Sequence, residues 1–239
     1  MEYLLQQLIN GIELGTVYAL IALGYTMVYG IIRLINFAHA DIFMIGVYTA
    51  LFTASSYQIP FLLVILISMS VCASLGLIIE KLAYKPLRHK PKLSALITAL
   101  GVSLFLENFC ALPFVFGPDY RKFPELIETQ KFVISERYSL VVTNVFLINL
   151  LVVSILLSGL FYLVHYTMIG RKMRAVSYDK ITASLLGINV DRTISFTFLV
   201  GTALAGASGV LYGMTFTTVQ SPYMGIWPGW KAFIAAVIG

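Results

Sequence analysis

The sequence predicts an all-α, polytopic transmembrane helical bundle, and three observations carry that expectation. Hydrophobic residues make up 59% of the 239 positions and charged residues 11%, against about 45–50% and about 25% in soluble domains. The mean hydropathy is +0.89. Apolar runs of about 20 residues, long enough to cross about 30 Å of hydrocarbon as a helix, recur along nearly the whole chain.

The first run, 9–31, follows an opening that carries Glu2 in place of basic residues and has no clear cleavage site. It therefore reads as a retained span and not as a signal peptide. The second, 41–56, is short. It either borrows from the preceding "INFAHA" or forms a partial or re-entrant helix, which is allowed only where protein or water satisfies its backbone. Runs at 60–83, 94–117, 140–168 and 193–217 complete six spans. A further apolar segment opens at 230 and meets the end of the sequence about ten residues on, too short to cross. The expectation is six spans plus a C-terminal partial segment of a truncated chain.

Orientation follows from lysine and arginine near the span ends. Residues 81–92, "KLAYKPLRHKPK", hold five basic residues and no acid; residues 170–192, "GRKMRAVSYDKITASLLGINVDR", hold five against Asp179 and Asp191. Both are expected in the cytoplasm. The stretch from Pro118 to Ser139 balances its charges and is expected outside, with Met1. The formal net charge of +5 sits in short loops, so it reads as a topology signal and not as a nucleic-acid surface. Cys72 and Cys110 each lie in an apolar run, as packing residues.

Few groups suggest covalent chemistry. No G-x-x-x-x-G-K-[ST] loop occurs, so any use of ATP needs another chain. His39, His89 and His165 lack zinc-ligand spacing, and no metal or cofactor is implied. Polar groups at membrane depth are the stronger signal. Glu107, beside Asn108, falls mid-span, as either a pathway residue or one buried hydrogen bond between helices. Glu13 and Glu80 read as interfacial. Arg33, Asn36, His39 and Asp41 cluster between two apolar stretches, either as a broken helix lining a path or as a cytoplasmic turn with Asp41 as a cap. Gly11 and Gly15, and Gly209 and Gly213 extended by Gly201, Ala205 and Gly206, have the small-residue spacing of helix packing seams. Residues 173–186 read as one amphipathic helix with Ala175, Tyr178, Ile181, Thr182 and Leu185 on one side and Gly187 as its stop. It would lie on lipid or dock in a partner's groove.

The chain resembles the integral-membrane permease subunits of ATP-binding-cassette importers for branched-chain amino acids. The segments that carry the resemblance are "GTVYALIALGYTMVYGIIRLINFAHADIFMIGVY", "RKMRAVSYDKITASLLGINVDRTISFTFLVGTALAGASGVL" and "GWKAFIAAVIG". It implies a single transmembrane permease domain over 1–239, with 169–192 as the cytoplasmic coupling loop that fits a cleft in the ATPase subunit. The matching coupling residues are Arg171, Arg174, Ala183, Leu185, Gly187, Asn189 and Arg192; Ile181, Thr182 and Ala183 stand where many importer permeases read Glu-Ala-Ala. Asn36, His39 and Asp41 match, whereas Ala40 replaces a glycine common in the family. Members continue past the equivalent of Gly239. The implied setting is the bacterial inner membrane, with a second permease subunit, two cytoplasmic ATPase subunits and an external substrate-binding protein as partners. Asn36, His39, Asp41 and Glu107 are then the residues expected to line the path. Two other readings stay open: an importer for urea or short amides, and an ion-coupled secondary transporter using Glu107, Asp41 and His39 as a proton relay.

Overall fold

A computed structural model describes residues 2–32, 36–57, 59–88, 90–135, 140–219 and 222–238. Helices α1 (Glu2–Ile32), α2 (His39–Tyr57), α3 (Phe61–Ile79), α4 (Lys92–Cys110), α5 (Asn144–Tyr166) and α8 (Val190–Phe216) form the bundle. Helix α3 runs on through a π turn, Glu80–Tyr84, and a 3-10 turn, Lys85–Leu87. Two short helices, α6 (Met168–Tyr178) and α7 (Lys180–Leu185), join α5 to α8, and α9 (Ile226–Ile238) follows a 3-10 turn at Pro222–Gly225. Two small antiparallel pairs dress one end: β1 (Arg121–Lys122) with β4 (Thr218–Val219), and β2 (Lys131–Ser135) with β3 (Leu140–Thr143).

Among the described residues five helices are long and apolar enough to cross a membrane: Leu4–Ile31, Phe61–Leu87, Leu93–Cys110, Asn144–Tyr166 and Val190–Phe216. The expected sixth span, 41–56, is helical as α2 but falls outside that set. Its 19 residues rise about 28 Å. Its buried positions include His39, Asp41, Phe43, Val47, Tyr48 and Ala54, so protein covers it where a lipid-facing span would need apolar side chains.

The described ends agree with the charge count. The Gln6 side chain donates to the Val141 carbonyl at 3.1 Å and accepts from the Val141 amide at 3.0 Å, which sets the start of α1 on the same side as the strand pairs. On the other side Arg88 pairs with Asp191, joining the two basic segments.

Helix α8 is the hub, packed against α1, α2 and α3. Its small residues let backbones touch. A Cβ added to Gly206 would stand 2.6 Å from the Ser68 carbonyl oxygen, and one on Gly209 2.6 Å from the Val47 amide nitrogen. Gly213 leaves room for the Phe123 ring, 2.3 Å from such a Cβ. A Cβ added to Gly201 would stand 3.1 Å from the Gly24 carbonyl oxygen. Ser68 donates to both the Gly46 and Gly206 carbonyls, at 3.0 and 2.9 Å, tying α2, α3 and α8 at one point. The other seam expected from sequence, Gly11 with Gly15, meets no neighbour within this chain: nothing lies within 4 Å of either added Cβ.

One correction concerns 173–186, which is two helices and not one. Asp179 is extended, with φ −151° and ψ 116°, and its carboxylate accepts from the amides of Ile181 at 3.0 Å and Thr182 at 3.2 Å. A capping aspartate competes with continued helix, so the break falls there. The Thr182 hydroxyl, followed by the two amides, holds the Asp179 carboxyl below its usual range. Gly187 ends α7 at φ +79°, as its expected stop.

Two outcomes follow. Gly206→Ala and Gly209→Ala each destabilise the bundle by about 1–3 kcal/mol through overpacking, whereas Gly15→Ala costs nothing; labelling of the buried thiols of Cys72 and Cys110 during thermal unfolding in detergent reads the difference. Asp179→Ala speeds hydrogen exchange at Ile181 and Thr182. In the unsubstituted chain the depressed carboxyl keeps the cap fully formed above its ordinary value and loses it only as pH falls through the lower folded one.

Candidate functional site: a buried helix start and its cavity

The start of α2 lies deep inside the bundle. The His39 amide donates to the Asn36 carbonyl at 3.1 Å, forming the turn that opens the helix. Three neighbours report its depth. The Cys72 thiol, at the middle of α3, donates to the Ile42 carbonyl at 3.3 Å. The Ser103 hydroxyl, at the middle of α4, donates to an Asp41 oxygen at 2.5 Å. The His39 ring nestles against Gly24 of α1, where an added Cβ would meet its Nε2 at 2.4 Å and the Gly201 carbonyl oxygen at 2.7 Å. The turn is therefore at bundle depth and not at the basic surface. Arg33, the other member of the cluster, lies outside the described residues.

A cavity of about 330 Å³ opens beside this turn, within the usual range for a small-ligand pocket. Asp41, Ser103 and Glu107 stand at its polar part, and Tyr25, Phe37, Leu100, Leu104, Trp230 and Phe233 make most of its wall. Helix α9 closes one side: the Phe37 ring lies 5.8 Å from Trp230 and 6.0 Å from Phe233. Gly225 and Gly229 permit that approach, since added Cβ atoms would stand 2.6 Å from the Ala40 carbonyl oxygen and 2.3 Å from the Ala40 Cβ. Ala40 has no positive φ, so alanine costs no backbone strain there. The Asp41 and Glu107 carboxyls, from α2 and α4, line the same cavity. Among the described residues no basic side chain lines the cavity.

The four path residues expected from sequence thus divide. Asp41 and Glu107 line the cavity. His39 is fully buried behind it against Tyr25, ring centroids 4.6 Å apart, and Asn36 accepts from the Tyr84 hydroxyl at 2.7 Å. Ser103, Tyr25, Trp230 and Phe233 went unread in the sequence, because a lone serine or aromatic in an apolar run has no periodic signal.

Glu80, read as interfacial, stands among the charged residues at the basic end of the bundle and is 0% exposed. The continuation of α3 past Ile79 packs it inward, where it pairs with Arg88 and accepts from Ser195 at 2.7 Å. Arg88, 10% exposed, also reaches Asp191, which Lys85 meets at 3.4 Å. Removing one partner of a buried ion pair costs about 3–5 kcal/mol.

The expected coupling residues also divide. Ala183 is 2% exposed and belongs to the chain's own core, so it offers no surface. Arg171 donates to the Met168 sulfur and Arg174 to the Val164 carbonyl. The Asn189 side chain accepts from the Arg192 amide at 2.9 Å as the N-cap of α8. Leu185 is exposed, as are Tyr178, Ile181 and Leu186.

Comparison with known proteins agrees with this architecture. The family model for "Branched-chain amino acid transport system / permease component" matches residues 7–239. The high-affinity branched-chain amino acid transport system permease protein LivH of Salmonella typhimurium is 41% identical over 99% of this chain and 79% of its own length, and LivH of Escherichia coli K12 gives the same figures. BraD of Pseudomonas aeruginosa is 38% identical over 98% of this chain and 78% of its own. No solved structure matches the chain. With the match running through the buried turn, the hub helix and the capped tip alike, this multi-pass membrane protein belongs to the permease-component family of branched-chain amino acid transport systems.

Proposed function

We propose that the chain is the membrane-embedded subunit of an ATP-binding-cassette importer that carries branched-chain amino acids across a bacterial inner membrane. A second permease subunit completes the path, two separate cytoplasmic subunits hydrolyse ATP, and an external binding protein delivers the substrate. Residues 169–192 are the loop that docks on an ATPase subunit.

The observation that carries this reading is the tip formed by α6 and α7. Tyr178 is 92% exposed, Ile181 75%, Leu185 83% and Leu186 74%, on two helices of 11 and 6 residues that are too short to span. Asp179, Gly187 and Asn189 fix the ends of α7 and the start of α8. A capped, apolar knob between two spans fits the groove of a partner protein, and it transmits force because both of its ends are held. Motion follows from differential affinity of the two permease states for the states of the ATPase.

The cavity supports an amino acid as cargo. An α-ammonium matches the Asp41 and Glu107 end, where no basic residue competes among the described residues, and an aliphatic side chain suits the wall of Phe37, Leu100, Leu104 and Phe233. Urea and short amides carry no charge to meet two acids, which favours the amino acid.

Reconstituted vesicles test this. Leucine uptake requires added ATPase subunits, stops with vanadate and survives an uncoupler; uptake without the ATPase, or collapse with the uncoupler alone, refutes the reading in favour of a secondary carrier. Ile181→Asp with Leu185→Asp lowers co-purification of the ATPase subunits while membrane insertion is kept. Asp41→Asn raises the leucine concentration for half-maximal uptake by about thirtyfold or more, the factor for about 2 kcal/mol lost on truncating a buried charged partner. Ser103→Ala raises it about fivefold, as expected for one hydrogen bond.

A further inference from the structure

A series of side-chain contacts, joined by three short stretches of backbone, links the exposed tip to the buried turn. It begins in the first turn of α8, where Asn189 caps the helix and Asp191 follows. Asp191 binds Arg88 and, at 3.4 Å, Lys85. Arg88 also binds Glu80, whose second oxygen accepts from Ser195 of α8 at 2.7 Å. Glu80 opens the π turn and Tyr84 closes it. The Tyr84 ring packs on Phe198 of α8, centroids 5.3 Å apart, and its hydroxyl donates to Asn36 at 2.7 Å. Asn36 in turn accepts from the His39 amide through its carbonyl, and Asp41 of the cavity follows in the first turn of α2.

From this geometry we infer that Glu80, Tyr84, Arg88 and Asp191 are positioning residues that carry movement of the α7–α8 tip to the turn before α2, and so set the shape of the cavity. The inference rests on the proposed role of the tip. Two features suit the series to this task. Glu80 and Arg88 are shielded from water, so the base of α3 and the start of α8 move as one body and do not slide past each other. From that body the Tyr84 hydroxyl reaches the turn itself, beside a π turn, a helix irregularity common at functional sites. Hydrogen bonds of this kind are either made or broken, which suits a two-state element.

Tyr84→Phe tests the last link, since it keeps the ring on Phe198 and removes only the hydroxyl. The measurement is leucine uptake and ATP hydrolysis on the same vesicles, holding the permease assembled with its ATPase subunits and supplied with the binding protein. The expected result is assembly and ATP hydrolysis close to the unsubstituted complex, with leucine moved per ATP reduced about fivefold, the factor for one neutral hydrogen bond. Arg88→Gln lowers the same ratio further, and Arg88→Lys recovers part of it. A Tyr84→Phe ratio equal to that of the unsubstituted complex overturns the inference, whether or not both rates fall together. Should Tyr84→Phe fail to assemble, the ratio for Asp191→Asn, at the half-exposed end of the series, decides in the same way. Failure of the parent reading looks different: the unsubstituted complex itself then moves leucine without ATP.

Discussion

Helix α2 starts at a depth where hydrocarbon offers no hydrogen bonds, and that requirement organises the molecule. Exposed amides and the side chains of Asn36, His39 and Asp41 would each cost several kcal/mol if left in lipid. They are instead enclosed by the middles of α1, α3, α4 and α8, with Tyr84, Ser103 and the Ile42 to Cys72 contact supplying direct partners. A helix with acid and imidazole in its first turn is tolerable only inside such a wrapping. The same wrapping leaves one opening, the cavity beside Asp41 and Glu107.

Close approach of α8 makes the enclosure possible. In a membrane the hydrophobic effect does not drive helices together, so packing and interhelical hydrogen bonds must. Gly201, Gly206 and Gly209 bring α8 into backbone contact with its neighbours, Gly213 makes room for the Phe123 ring, and Ser68 and Ser208 add hydrogen bonds to carbonyls across helices. Gly24, Gly46 and Gly76 serve the facing helices in the same way: an added Cβ on Gly46 would stand 2.9 Å from the Gly206 Cα, and one on Gly76 2.2 Å from the Thr202 hydroxyl. Reciprocal small residues on both sides of each crossing explain why the seam tolerates so little added volume.

The basic side of the molecule uses electrostatics where the interior uses fit. Glu80, Arg88 and Asp191 bring α3 and α8 together at the point where the chain leaves the bundle for the tip. Strong, directional contacts at that junction keep the start of α8 in register with the base of α3. The apolar residues of the tip beyond it stay uncovered. A rigid root and an uncovered apolar end suit the docking role proposed for the tip.

Much of the fold was legible from composition and periodicity. Spans near 60–83, 140–168 and 193–217 appear as helices 61–87, 144–166 and 190–216, because twenty apolar residues in a row have one stable outcome in a bilayer. Gly187 was readable as a stop, since its φ of +79° is a local demand that glycine meets without steric cost. Side-chain partnership was not readable. Whether Glu80 meets water or Arg88, whether Gly11 or Gly206 lies in a seam, and whether Ala183 faces a partner or the core all depend on which helix face meets which neighbour. That pairing is decided by packing between residues such as Glu80 and Ser195, 115 positions apart, and no local pattern records it.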